Sequence, residues 1–309
     1  MGYDLPQPDI ATIETVLEAR LPHLPRQDIE PLGTGWAFWA FRAGETVLRF
    51  PRDAEFTQTL RVEERVMHEL APTLPLPVAA IEVHEGGPGG LPFTSHRLVP
   101  GVQVRALERP LASNAGEVLG RFIRAMHDFP VERAVELGLP YQSPQDARER
   151  WRRLLEERIV PEVLPLVSKE ARAHVTARFE AFLDDDSNFD RQPVVSHGDL
   201  DDWNTLADPA TGEFTGVVDW GDIAIGDPAS EFTISLYGGF GPKGLKLPTL
   251  ARGYGISEAE LERMRPRCAF AAYCWPLHEI IYCQESRNEA GLQEAIEFLY
   301  ETVRTHART

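Results

Sequence analysis

The chain has 309 residues, 43% of them hydrophobic and 26% charged, an ordinary globular composition with length enough for one large domain or two lobes. The 31 Lys and Arg against 48 Asp and Glu give a net charge of −17, which argues against nucleic acid as a partner; such a surface attracts a small cationic molecule, and solubility alone accounts for the charge equally well. No stretch approaches the ~20 apolar residues of a membrane span, and Cys268, Cys274 and Cys283 match neither a disulfide framework nor a metal motif.

The opening MGYDLPQPDI has neither a basic region nor an apolar run, so no signal peptide is expected, and three free thiols fit a reducing cytoplasm. Residues 9–20 predict a helix with Ile10, Ile13, Val16 and Leu17 on one face. Residues 29–50 predict three strands, with Gly33-Thr34-Gly35 in the first turn and Gly44 in the second. An amphipathic helix over 53–70 follows, then strands near 78–83 and 93–98 around the glycine-rich loop 85–90. Val99-Pro100-Gly101 breaks the pattern and marks the expected boundary between an N-terminal lobe, 1–100, and a C-terminal lobe, 101–309. Helices are predicted beyond it near 119–126 and over 148–157, 170–183, 257–285 and 289–305. The fold class is α+β, a small β-rich lobe followed by a larger, mainly helical one.

The densest chemistry lies in 194–228. An apolar strand at Val194-Val195 runs into His197-Gly198-Asp199. Asn204 follows Asp199 in the same loop, and Asp219 ends a second apolar strand at 215–218. Carboxylate, carboxamide and carboxylate at strand ends are the parts that hold magnesium and a hydroxyl beside a nucleotide γ-phosphate. One carboxylate orients the attacking hydroxyl, and the other two groups ligate Mg²⁺, which prefers hard oxygen donors. A single such tripeptide marks an ordinary turn. Three in this order, with strands between them, point to phosphoryl transfer.

His197-Gly198-Asp199 with Asn204 resembles the H-G-D-x-x-x-x-N catalytic loop of the aminoglycoside phosphotransferase and choline kinase-like family. Asp219-Trp220-Gly221-Asp222 is similar to that family's counterpart of the protein-kinase D-F-G, and Gly226-Asp227-Pro228 to the G-D-P that follows it. The resemblance covers nearly the whole chain. It implies a two-lobed protein-kinase-like fold, ATP or GTP as donor, and Mg²⁺. It also implies Asp199 as catalytic base or hydroxyl-orienting group, Asn204 and Asp219 as metal ligands, and His197 and Asp227 as braces of the catalytic loop. The G-D-P block and the terminal helices look most like aminoglycoside 2″-phosphotransferases. The rivals are macrolide kinases, which tend to carry histidine where Asn204 stands, and choline, homoserine or sugar kinases.

Gly33-x-Gly35 between strands predicts a phosphate cradle of backbone N–H groups. The kinase template puts a lysine on the strand at 46–50, but the only lysines are Lys169, Lys243 and Lys246, all in the second lobe. The phosphate-facing cation must then be an arginine: Arg49, which shares a strand face with Val47, or else Arg52. Phe56, Leu60, Met67 and Leu70 mark a buried helical stripe with Glu63 in its gap. A carboxylate there is costly unless paired, so Glu63 is expected to face Arg49. The resemblance assigns purine contacts to the main chain of His96 and Leu98. Asp201, Asp202, Asp222, Glu231, Glu279 and Glu285 are the carboxylates available to an amine-bearing acceptor. A nucleotide-binding pseudokinase is the competing reading, supported by the missing lysine and opposed by intact Asp199, Asn204 and Asp219.

Overall fold

The computed structural model describes residues 5–34, 37–238, 240–241 and 243–306; Gly35 lies outside them. Helix α1 (Ile10–Arg20) begins where the Asp9 side chain accepts the Thr12 N–H, and it buries Ile13, Val16 and Leu17. That face meets Phe41, Leu48, Phe50 and Phe93 of a sheet. Five strands, β1 (Glu30–Thr34), β2 (Phe38–Ala43), β3 (Thr46–Pro51), β4 (Glu82–His84) and β5 (Phe93–Arg97), form it in the antiparallel order β1-β2-β3-β5-β4.

Three expectations for this part need correction. Gly33 lies inside β1, not in a turn: a bulge between Pro31 and Gly33 absorbs a residue, with Gly33 at φ +138°, and the strand continues to Thr34. The helix expected over 53–70 is split, because Asp53 accepts the Glu55 N–H and starts a 3₁₀ turn at Ala54–Thr57. The α-helix proper, α2, covers Leu60–Leu70. Of the strand expected over 78–83, only its end enters the sheet as β4. Pro77 O and the Ala79 N–H bond instead to Val217, so this segment ties the two halves of the chain together.

After β6 (Val102–Gln103) the chain is mainly helical: α3 (Ala115–His127), α4 (Val131–Glu136), α5 (Pro144–Arg153) and α6 (Lys169–Asp184). A π-helical stretch, Leu154–Val163, replaces the end of the helix predicted over 148–157; Pro161 within it lacks an amide donor. Next come β7 (Val194–Ser196), β8 (Thr205–Ala207), β9 (Phe214–Val217) and β10 (Ala224–Gly226). β7 pairs with β10, and β8 pairs with both β6 and β9. Helices α7 (Ser230–Tyr237), α8 (Leu247–Tyr254), α9 (Glu258–Glu285) and α10 (Glu289–His306) complete the chain.

One core joins Val66, Met67 and Leu70 of α2 to Phe122, Ile123 and Met126 of α3 and to Val195, Val217 and Ile225 of the short strands. It fixes the strand ends that carry the motif loops relative to the larger sheet. A second core, with Phe179, Phe270, Leu277 and Leu299, binds α6, α9 and α10. Cys268, Cys274 and Cys283 are buried and free. Among the described residues no helix is long and apolar enough to cross a membrane.

Candidate active site

β7 delivers the chain into His197-Gly198-Asp199. His197 is fully buried; its Nε2 lies 3.1 Å from the Val218 carbonyl, and its Nδ1 accepts the Asp199 N–H at 3.3 Å. These partners put the proton on Nε2, and burial pulls the ring down to about 4, so it stays neutral near pH 7. The ring therefore clamps the loop after β7 to the loop after β9. Gly198 has φ +87°, and a Cβ there would run into the Asp222 carbonyl. The motif's glycine is what lets these two loops touch.

Asn204 is buried, and its Nδ2 donates to both the main-chain oxygen and Oδ2 of Asp199, each at 2.9 Å. Its amide oxygen remains as an acceptor. The Asn204 carbonyl takes the Val218 N–H at 2.9 Å, which sets Asp219 next in line. Asp219 sits at φ +63°, a left-handed conformation costing a non-glycine residue about 1–2 kcal/mol. Burial, and then the Asp222 and Asp219 carboxylates, push Asp199 above the usual carboxylate range against the pull of Asn204. Asp222 is raised by burial and by Asp219, and lowered by Arg150.

From the larger sheet, Arg49 of β3 enters the same region. Its Nη1 lies 3.5 Å from Glu63 Oε1, its Nη2 lies 3.3 Å from Asp219 Oδ1, and its guanidinium covers the Phe38 ring. Glu63 is 2% exposed, and burial raises its pKa against the opposing charge of Arg49. Arg52 instead lies over the Trp39 ring. The structure thus brings Arg49, Glu63 and Asp219 together, with both loops of the motif behind them. His96 is buried in β5 with Nδ1 at 2.9 Å from Arg97 O, and burial lowers it to about 4. The Leu98 N–H is already committed to Glu45 O at 2.7 Å, so only its carbonyl is left for a base.

Several carboxylates expected at the acceptor have other partners. Asp201 Oδ1 accepts the Trp203 and Asn204 N–H groups at 2.8 and 2.9 Å, so it shapes the catalytic loop from within. Burial and neighbouring Asp199 raise it to about 6. The Asp202 carbonyl takes the Arg105 N–H, and its side chain does not line the cleft described below. Glu279 is met by the Cys283 thiol at 3.7 Å, and Glu285 is ion-paired to Arg158 at 2.7 Å; neither lines the cleft. Asp227 does not reach the catalytic loop. Arg191 and Arg267 each approach its Oδ2 at 3.1 Å, while its Oδ1 caps the turn into α7 at the Ala229 N–H.

The brace is Glu231. It is 2% exposed on α7, and its Oε1 accepts the Ser196 hydroxyl and the Gly198 N–H. Sequence reasoning missed this role, although a lone carboxylate in the eight-residue run SEFTISLY was a usable signal. Burial raises its pKa above the ordinary 4.5. Below pH 4.5 both folded and unfolded chains hold the proton. Above it the unfolded chain ionises first, so the folded state loses stability as pH rises through the folded value. Glu231→Gln keeps an acceptor oxygen and stays neutral, so its melting temperature should gain on wild type between pH 4.5 and 8. Glu231→Ala, which strands buried donors, should cost roughly 1–3 kcal/mol and lower kcat with little change in nucleotide KM. Parallel melting curves for wild type and Glu231→Gln across that range would remove Glu231 as a buried raised acid.

Asp199 and Asp222 open onto a cleft of about 1480 Å³ whose far wall is α5, the π-helical stretch and α9. Tyr141, Trp151, Leu154 and Tyr282 give it an apolar and aromatic side. For a cation, the chemistry present is the Asp219 carboxylate and the Asn204 amide oxygen, both hard donors suited to Mg²⁺. Among the described residues no group of three or more His, Cys, Asp or Glu forms a metal cage. Magnesium fits here only as an ion that completes its shell with phosphate and water oxygens, which is its usual habit at phosphoryl-transfer sites.

A family model described as "Phosphotransferase enzyme family" matches residues 28–267. Solved structures resemble the fold over nearly its full length. The GDP complex of wild-type aminoglycoside 2'-phosphotransferase-IIIa has 21% identity and a TM-score of 0.81, covering 97% of this chain and 100% of that one. The GDP and kanamycin complex of APH(2")-IIia has 22% identity and a TM-score of 0.80, with 95% and 98% covered. Macrolide 2'-phosphotransferase MphH from Brachybacterium faecium, an apoenzyme, has 23% identity and a TM-score of 0.71, with 94% and 98% covered. The search of curated proteins gave no significant match.

Proposed function

The chain belongs to the phosphotransferase enzyme family, and on that premise we propose that it moves the γ-phosphate of a nucleoside triphosphate to a hydroxyl of a small molecule. The observation behind this reading is the meeting of Asp199, Asn204 and Asp219 on two loops joined through His197 and Val218, with Arg49 reaching Asp219 from the sheet. Asp199 orients the acceptor hydroxyl and takes its proton; Asn204 fixes the carboxylate that does so. Arg49, held by Glu63, supplies the phosphate-facing cation in place of the absent lysine. Gly33, Gly35 and the main chain at His96 and Leu98 are the remaining nucleotide contacts, Leu98 through its carbonyl. Magnesium, when bound, neutralises phosphate charge, and Asn204 and Asp219 are the residues that would hold it. The rest of the catalysis is positioning.

In this reading residues 1–100 serve the nucleotide and 101–309 the chemistry and the acceptor, in a cytoplasmic enzyme. ATP and GTP are both donors to test, since two of the similar structures hold GDP. Aminoglycosides are the acceptor class that fold likeness puts first. Macrolides are second, favoured by the aromatic side of the cleft. Stimulated nucleotide turnover and product mass across aminoglycosides, macrolides and simple alcohols test the proposal. Magnesium-dependent turnover without any phosphorylated acceptor would leave the pseudokinase reading ahead.

The metal assignment makes its own prediction. Asp219→Asn should raise the magnesium concentration for half activity by about tenfold or more, as loss of a charged oxygen ligand does. Asn204→Ala should shift it less while also lowering kcat, because Asn204 holds Asp199 as well. A magnesium titration that is unchanged in both variants rejects the assignment.

A further inference from the structure

The acceptor cleft is not as acidic as the protein that surrounds it. Five arginines line it, against a net charge of −17 for the chain. Four of them have a carboxylate partner: Arg153 meets Glu149 at 3.6 Å, Arg158 meets Glu162 and Glu285, and Arg191 and Arg267 share Asp227. Arg150 on α5 makes no ion pair among the described residues, and it is exposed to the cleft. Its charge works against burial and Asp219, which raise Asp222, and adds to burial in lowering His278.

The carboxylates of the cleft are largely spoken for. Asp227 carries two arginines, so that cluster is net positive. Asp146 is held in the capping box of α5 with Ser143. Asp199 and Asp222 stand at the reaction centre. Glu157 and Asp146, neither in an ion pair among the described residues, offer negative charge away from that centre. An acceptor with three or more ammonium groups would place at most two near Glu157 and Asp146 and turn the rest toward Arg150 and the Arg191–Asp227–Arg267 cluster. Like charges facing each other across a partly dried interface are a strong means of rejecting a wrong ligand.

We infer that Arg150 is a specificity residue that limits the positive charge of the acceptor: the cleft favours hydroxyl compounds with one amino group or none, seated against Tyr141, Trp151 and Leu154, over polyamines. This rests on the phosphotransferase reading for the identity of the cleft, and it orders acceptor classes differently from fold likeness.

The test is calorimetric titration of the full chain at low salt with kanamycin, a macrolide bearing one amino group, and an amine-free glycoside. Wild type, Arg150→Gln and Arg150→Glu are compared, with thermal melts confirming that each is folded. Wild type should bind the macrolide or the amine-free glycoside at least about tenfold more tightly than kanamycin. The ratio should narrow in Arg150→Gln and narrow further in Arg150→Glu, with kanamycin the ligand that gains. Added salt should narrow the wild-type ratio as well. Kanamycin as the tightest wild-type ligand, a ratio that neither substitution moves, or no binding of any of the three would overturn the inference. Product mass is read separately. A chain that binds in the stated order yet phosphorylates nothing would remove the proposed function and leave Arg150 as the selector of the cleft.

Discussion

Asp199→Ala should abolish phosphoryl transfer, lowering kcat by roughly 10²–10⁴-fold, the usual value of a positioned general base. Nucleotide affinity should stay close to wild type. The split follows from geometry, because Asp199 is exposed on the cleft side and held by Asn204, while Arg49, the cation proposed to face the nucleotide, contacts Asp219 instead. Asp199→Asn is the more discriminating variant. It keeps the shape and the contact with Asn204 Nδ2 but cannot accept a proton at working pH, so it should be nearly as inactive as alanine. Steady-state kinetics together with a direct nucleotide titration decide the matter. Turnover near normal in either variant would take Asp199 out of the mechanism.

The raised pKa of Asp199 adds a pH signature. Although its side chain reaches the cleft, the protein around its carboxyl displaces much of its water, and this desolvation with two neighbouring carboxylates holds its proton to higher pH than a free aspartate would. A base must be ionised to work, so activity should fall on the acid side beginning above the ordinary aspartate range. Asp222→Asn, which removes one of those charges, should move that limb to lower pH.

Much of this site was legible in the sequence because its parts are local. The strand-loop motif places His197, Asp199 and Asn204 within a few residues of one another, and the loop bonds among them need only a strand to start from. Arg49 and Glu63 were also accessible. Strand alternation gives the face of one, a gap in a helical stripe gives the face of the other, and a buried carboxylate requires a cation. What periodicity cannot supply is the partner chosen when distant elements pack. Asp227 is claimed by Arg191 and Arg267, one from the loop before β7 and one from α9. Glu231 reaches Gly198 only because α7 lies behind β7. Helices α7 and α8 escaped notice for a related reason: each has eight residues, and their formation depends on the cores they enter more than on their own pattern. The same limit hid Arg150. On a helix with two arginines and a glutamate for neighbours, nothing local marks it as the cleft arginine left without an ion pair among the described residues.

Arg49→Ala should do two things at once, and their separation is the sharper test. Nucleotide KM should rise and kcat fall, because the cation nearest Asp219 is gone. Stability should fall too, because Glu63 is left almost fully buried with neither carboxylate oxygen accepting a hydrogen bond. Removing one partner of a buried pair costs about 3–5 kcal/mol. Protonation of Glu63 relieves part of that cost, and burial already favours the protonated form. With the folded pKa raised further by loss of Arg49, stability is retained at acid pH and lost as pH rises through that value, so the melting deficit of Arg49→Ala should widen from pH 5 to pH 8. Adding Glu63→Gln removes the stranded charge. The double variant should recover most of the melting temperature while its KM stays as high as that of Arg49→Ala, because Glu63 acts on the nucleotide through Arg49; the cycle is non-additive in both stability and binding. Arg49→Lys should hold stability better than alanine yet fall short of full activity, since a shorter point charge cannot span from Glu63 to Asp219 as the guanidinium fork does. If Arg49→Ala leaves nucleotide KM unchanged while lowering stability, Arg49 is only a structural counter-ion for Glu63, and the phosphate-facing cation must be sought elsewhere.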